Sequence, residues 1–185
     1  MEYCKHNPVI DLILGSVVWM LSATSCQHLN DYLIKIYKGS IDEVGVPCGY
    51  VNERGDTVIP FGKYDYCYTD TFRKMAIVLK KNGELVGINR KFHELFNVYW
   101  YDNGPDYVAD GLFRIRKNGK IGYANSDGKI MIQPQFDCAF PFEHRKAKVS
   151  IHCLNTSEVE NTLWKSDNWY FIDIHGKKFE KLIIN

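Results

Sequence analysis

The chain has 185 residues, of which 45% are hydrophobic and 24% charged, with a formal net charge of +1. These are the proportions of an ordinary globular domain and exclude a disordered chain. Lys and Arg are spread along the sequence, so there is no concentrated basic face and a nucleic-acid partner is excluded.

In chain order the first feature is an apolar stretch from Val9 to Ala23, preceded by Lys5 and His6, broken only by Asp11 and followed by Thr24, Ser25 and Cys26. A basic start, an apolar middle and small residues before a cut make a secretory signal. The unbroken run Leu12 to Leu21 is shorter than the roughly 20 residues a spanning helix needs. Small residues ending in a Cys resemble a bacterial lipobox, whose Cys is acylated. The pattern predicts a helical signal segment over residues 1–25, a lipid on Cys26 and export to the cell envelope, with the membrane reached through that anchor. The competing reading is a buried N-terminal helix in a cytoplasmic protein, favoured by Asp11 because a carboxylate is costly in an inserted segment.

Residues 26–44 read as a linker with an opening strand, Leu33 to Lys38, and residues 45–185 as a domain of about four repeated copies. Asn82-Gly83 and Asn118-Gly119 sit between apolar runs and predict hairpin tips, since these residues best tolerate positive φ. After them come strands with period-two alternation, as in Ile121 to Ala124 and Trp169 to Ile172. The two tips align without a gap 36 residues apart, and the same register relates Cys48–Asn52 to Trp169–Asp173. Each copy then has a second turn, opened by Asn or Asp and closed at Gly55, Gly128 and Gly176, where positive φ is expected. Phe92 occupies that place in the second copy, so its turn is expected to be built differently. Pro60 and Pro134 end the second strand. An aromatic-Asp step follows (Tyr64-Asp65, Phe136-Asp137), then Phe72 or Phe142 and a third strand. The residues 154–167 are read as an inserted surface loop.

Taken together the copies resemble the WG-repeat, or KWG-repeat, proteins of bacteria. The third copy carries the resemblance best, through Gly119, Gly122, Tyr123, Gly128, Lys129, Ile132, Pro134, Phe136, Asp137, Phe142, Ala147 and Val149. Only Trp169 supplies the signature Trp, and Val86 replaces the signature Gly of the second copy, which is therefore expected to be the least regular. The resemblance implies repeated β units, often at the envelope, and no activity. The expectation is an all-β fold of antiparallel hairpins in three-strand units, stacked as an open curved array, with a partial propeller as the alternative.

No catalytic motif, cofactor loop or metal-ligand set stands out. His93-Glu94 begins an HExxH-like string, but Asn97 replaces the second ligand. Asp102, Asp106 and Asp110 lack the alternate-residue spacing of a calcium loop. Cys48, Cys67, Cys138 and Cys153 have no paired spacing and are expected to be small buried hydrophobes. Tyr64, Tyr66 and Tyr68 alternate and would share one face of a strand, with Trp100 in about the same place one repeat later. Such aromatics are either core or a binding platform. The function expected is a non-enzymatic repeat scaffold mediating binding or protein interaction at the bacterial cell envelope, its partner an unidentified protein, peptide or glycan, with two alternatives: a carbohydrate- or peptide-binding module using the aromatic platforms, or an envelope-polymer hydrolase using carboxylates such as Asp65 and Asp102.

Overall fold

The computed structural model describes residues 32–39, 45–158 and 161–179; the segment 1–25, Cys26 and most of the linker lie outside them. Every regular element described is a strand. In chain order these are β1 (Leu33–Tyr37), β2 (Cys48–Val51), β3 (Thr57–Ile59), β4 (Tyr66–Cys67), β5 (Thr71–Phe72), β6 (Met75–Leu79), β7 (Leu85–Asn89), β8 (Glu94–Val98) and β9 (Trp100–Tyr101). They continue with β10 (Gly104–Pro105), β11 (Leu112–Lys117), β12 (Lys120–Asn125), β13 (Ile130–Phe136), β14 (Cys138–Ala139), β15 (Lys146–Ser150), β16 (Leu154–Glu158), β17 (Asn161–Lys165) and β18 (Tyr170–Asp173). Among the described residues all pairings are antiparallel, and no sheet closes on itself.

The repeat appears as four meanders: β1-β2-β3, β6-β7-β8, β11-β12-β13, and β15-β18 closed by a single bridge from Ile172 to Lys178. The middle two are joined through β8 and β11, which makes a seven-stranded sheet running from β13 to β4. Between meanders the chain takes a short step that pairs with the first strand of the next unit. Tyr68, Tyr99 and Phe140 each donate a backbone N–H to the third residue of that strand, Ile77, Arg114 and Lys148.

The second turn of every copy is the same device. Asn52, Asn89, Asn125 and Asp173 each accept, through the side-chain oxygen, the N–H groups two and four residues on. A short polar side chain thereby caps the turn that its own backbone makes. The closing residue is left-handed in all four: Gly55 (φ 85°), Phe92 (65°), Gly128 (82°) and Gly176 (82°). The expectation that Phe92 would need a different turn is overturned. A Phe in that region costs about 1–2 kcal/mol, and the ring offsets this by packing against the first core cluster under Lys63, whose Nζ lies 4.6 Å from the ring centre.

Urea midpoints test that balance. Gly55→Ala, whose new Cβ would meet nothing within 4 Å, should cost about 1–2 kcal/mol for the strained backbone, and Phe92→Ala at least as much, because it keeps the strain and loses the ring. Phe92→Gly, which loses both, should stay within about 1 kcal/mol of the wild type. Strong stabilisation by Phe92→Gly would mean that the ring contributes nothing.

The second copy, expected to be the least regular, pairs its strands as the others do: β6 and β7 match over five consecutive positions, and β7–β8 carries one register shift, as β2–β3 does. In the first and third copies the signature Gly admits a backbone. A Cβ on Gly122 would stand 2.5 Å from both the Ile132 oxygen and the Pro134 nitrogen, and one on Gly49 would stand 2.6 Å from the Ile59 oxygen. The next residue, Tyr50 or Tyr123, is fully buried and lies edge-on to Phe72 or Phe142 at 5.0 and 4.8 Å. Their hydroxyls donate to the Thr69 and Phe140 carbonyls at 2.7 and 2.6 Å. Burial pushes both phenols well above their ordinary pKa, so they remain protonated donors. In the second copy Gly87 takes the place of this Tyr, and the Phe96 ring covers it.

Alternation gives each unit two apolar faces. Leu33, Cys48 and Tyr50 of the first unit pack against Ala76, Val78, Val86 and Ile88 of the second. Met75, Leu85 and Phe96 of the second pack against Phe113, Ile115 and Ala124 of the third. Leu112, Ile121 and Tyr123 of the third pack against Ala147, Val149 and Ile172 of the fourth. The leading face of one unit thus seats the trailing face of the next.

Two expectations are corrected. The four described cysteines are not free hydrophobes: Cys48 is bonded to Cys67 and Cys138 to Cys153. The stretch 154–167 is not a plain loop but mainly a β-hairpin, β16 with β17.

Candidate aromatic binding surface

Because the step recurs at each joint, residues at equivalent step positions fall in a row along one side of the units. That position is aromatic every time: Tyr68, Tyr99 and Phe140. Tyr66, 48% exposed, meets Tyr68 edge-on at 4.8 Å. The β9–β10 hairpin lies beside Tyr68: a Cβ on Gly104 would be 3.5 Å from the Tyr68 ring. It brings the exposed Trp100 and Tyr101, and Tyr101 meets the exposed Tyr107 at 5.5 Å. Farther along, Tyr99 faces Trp164 of β17 at 6.4 Å, and Phe140 lies 5.2 Å from Trp164 and 5.5 Å from Trp169. Lys148 Nζ sits 4.8 Å from the Trp169 ring centre.

Of the four aromatics read as a possible binding surface, Tyr66, Tyr68 and Trp100 lie together among these rings. Tyr64 does not. It is 6% exposed, within the first core cluster. Alternation fails there because β4 spans only Tyr66–Cys67, so Tyr64 lies in the preceding turn.

One buried ion pair holds the loop that presents these rings. Asp106 and Arg114 have side chains 0% and 4% exposed. Arg114 donates through Nε and Nη2 to the two carboxylate oxygens at 2.9 and 2.6 Å, and its backbone N–H donates to Asp106 Oδ2 at 2.8 Å. Its Nη1 donates to the Ala139 carbonyl at 3.2 Å, and the guanidinium lies 4.3 Å from the Tyr99 ring centre. Burial alone would pull the Arg114 pKa down, but the Asp106 hydrogen bond and charge outweigh it, and the net shift is upward. Sequence reading missed this pair, and with it Tyr107, Phe140 and Trp164 as surface aromatics. The signal for Phe140 was the repeat register itself.

The chemistry considered for a hydrolase does not converge. Asp65 and Asp102 are exposed and line none of three clefts on the described surface, of about 360, 410 and 520 Å³. Asp106 is committed to Arg114, and Asp110 accepts the Arg145 N–H at 2.6 Å. Among the described residues no three His, Cys, Asp or Glu side chains come together to hold a metal.

Comparison with known proteins adds one kinship. A family model described as "WG containing repeat" matches residues 49–83 and 121–150. No curated protein and no solved structure matches the chain. The two matched stretches contain the Gly-Tyr pairs Gly49-Tyr50 and Gly122-Tyr123, or their tyrosine, together with the step each tyrosine is latched to.

Proposed function

We propose, from the premise that this chain is a WG-repeat protein, that it is a non-enzymatic scaffold that binds an extended glycan at the bacterial cell envelope. The observation that carries the reading is the aromatic row, one ring per joint, flanked by exposed Tyr66, Trp100, Tyr101 and Tyr107. Flat apolar rings at repeating intervals suit the apolar faces of successive sugars, and insertions on one side of a repeat array are where such proteins bind. The buried Asp106–Arg114 pair supports it, since a buried ion pair contributes more to fixing one loop geometry than to stability.

The envelope address is part of the same proposal. Two disulfides favour an oxidising compartment, which fits the signal-like start and acylation at Cys26.

Tryptophan fluorescence with envelope oligosaccharides tests the binding. Replacing both Tyr66 and Trp100 with Ala should weaken affinity about tenfold, since each aromatic contact contributes about 0.5–1.5 kcal/mol. Tyr64→Phe should change nothing. Oligosaccharide affinity that ignores the exposed rings, or affinity for a protein partner alone, would sink the glycan reading.

A further inference from the structure

The third residue of each opening strand lies against the step, and the four copies place Lys35, Ile77, Arg114 and Lys148 there. Two of the three cations are matched to an aspartate. Lys35 pairs with Asp70 and donates to the Cys67 carbonyl at 3.2 Å, and Arg114 is held by Asp106. Lys148 has no such match: it is exposed, and among the described residues it makes no ion pair and no side-chain hydrogen bond. Asp173 of β18 stands opposite Lys146, not Lys148, and its Oδ1 already accepts the His175 and Lys177 N–H groups.

What surrounds the Lys148 ammonium is aromatic. Its Nζ stands 4.8 Å from the Trp169 ring centre and 5.9 Å from that of Phe140, and exposed Phe171 is the residue directly across the ladder. Trp169 is itself out of pattern. The other copies place Cys48, Leu85 and Ile121 at its position, all buried, whereas Trp169 is half-buried with its ring 5.5 Å from Phe140. Phe140 meets Trp164, which faces Tyr99, so this cluster is the end of the aromatic row and not a separate patch. A cation over ring faces keeps its N–H donors available, and the rings displace water that would otherwise screen a negative charge arriving beside it.

We propose that Lys148, with Trp169, Phe140 and Phe171, is an acid-reading subsite of the glycan surface, so that the polymer bound is an acidic one. Lys148 pairs with a carboxylate or phosphate carried on the chain, through a charge-assisted hydrogen bond, while the neighbouring sugar lies against a ring. This rests on the glycan reading and narrows it: the exposed rings toward Tyr66 and Trp100 hold sugars of any charge, and the far end of the row selects the charged ones. Continuity with that row favours a glycan over an anionic lipid surface.

Calorimetric titration of the full chain tests it, with three probes: an oligogalacturonate, its fully methyl-esterified counterpart and an oligomer of glycerol phosphate. The wild type should prefer at least one of the two acidic probes to the neutral ester by about tenfold, since a hydrogen bond between charged groups is worth roughly that factor, and the preference should shrink as salt is raised. Whichever acidic probe is preferred identifies the anion as carboxylate or phosphate. Lys148→Met should abolish the preference, lowering affinity for the acidic probe about tenfold and for the ester less than threefold, and Lys148→Arg should restore it. A variant that merely failed to fold would lose both ligands together. Equal affinity of the wild type for acid and ester, or a preference that survives Lys148→Met, overturns the acidic subsite while leaving the glycan reading intact. Binding of none of the three probes overturns both, and binding to vesicles of anionic lipid in their place assigns Lys148 and its rings to a membrane surface.

Discussion

Replacing Arg114 with Ala should destabilise the protein by about 3–5 kcal/mol, because it leaves the Asp106 carboxylate buried and uncompensated. Asp106 is 4% exposed, and three of its hydrogen bonds come from Arg114 alone. The loss should reach the surface as well. Asp106 donates its backbone N–H to the Tyr99 carbonyl, so once the pair is gone the loop bearing Tyr101 and Tyr107 has lost its main attachment. Denaturant unfolding reads the first effect, and limited proteolysis between Asp102 and Gly111 reads the second. Changing both members, Asp106→Leu with Arg114→Met, should cost less than Arg114→Ala alone, since no orphaned charge remains. A cost below about 1 kcal/mol for Arg114→Ala would mean that water reaches the carboxylate.

Protein isolated from its host cells without reductant, then unfolded and alkylated, should carry no adduct on Cys48, Cys67, Cys138 or Cys153. Peptide mapping should join Cys48 to Cys67 and Cys138 to Cys153, with sequence separations of 19 and 15 residues. Loops of that size contribute about 3 kcal/mol each by constraining the unfolded chain, so reducing both should remove about 6 kcal/mol. The same intact mass reads the envelope proposal: a chain starting at Cys26 with acyl groups attached is expected. Four alkylated thiols on a chain retaining residues 1–25 would exclude both the bridges and export.

What could be read from the sequence was local and periodic. Asn52, Asn125 and Asp173 announced their turns because a side-chain acceptor two residues from its donor is a local device. Phe92 was misread because its strain is offset by a ring packing on another unit, and such long-range compensation leaves no local mark. The disulfides were missed for the same reason: Cys48 and Cys67 meet only because the step carries β4 back beside the first unit. Asp106 was weighed only with Asp102 and Asp110 against a calcium loop, since its true partner, Arg114, is set by a loop that folds onto β11. For the surface, alternation grouped Tyr64 with Tyr66 and Tyr68, which holds only where a strand persists, and β4 is two residues long.

One of the two bridges, Cys48–Cys67, joins a flanking meander to the shared sheet. The central meanders share a seven-stranded sheet, while the first and last belong to separate sheets. Cys67 sits in the outermost strand of the shared sheet and Cys48 in the first meander, whereas Cys138 and Cys153 both lie with the last unit, on β14 and just after β15, which pair in one sheet. Were the molecule tethered and pulled as proposed, load entering at the first meander would reach the shared ladder through a covalent bond, so tension would have to break that bond before it could peel the first unit away.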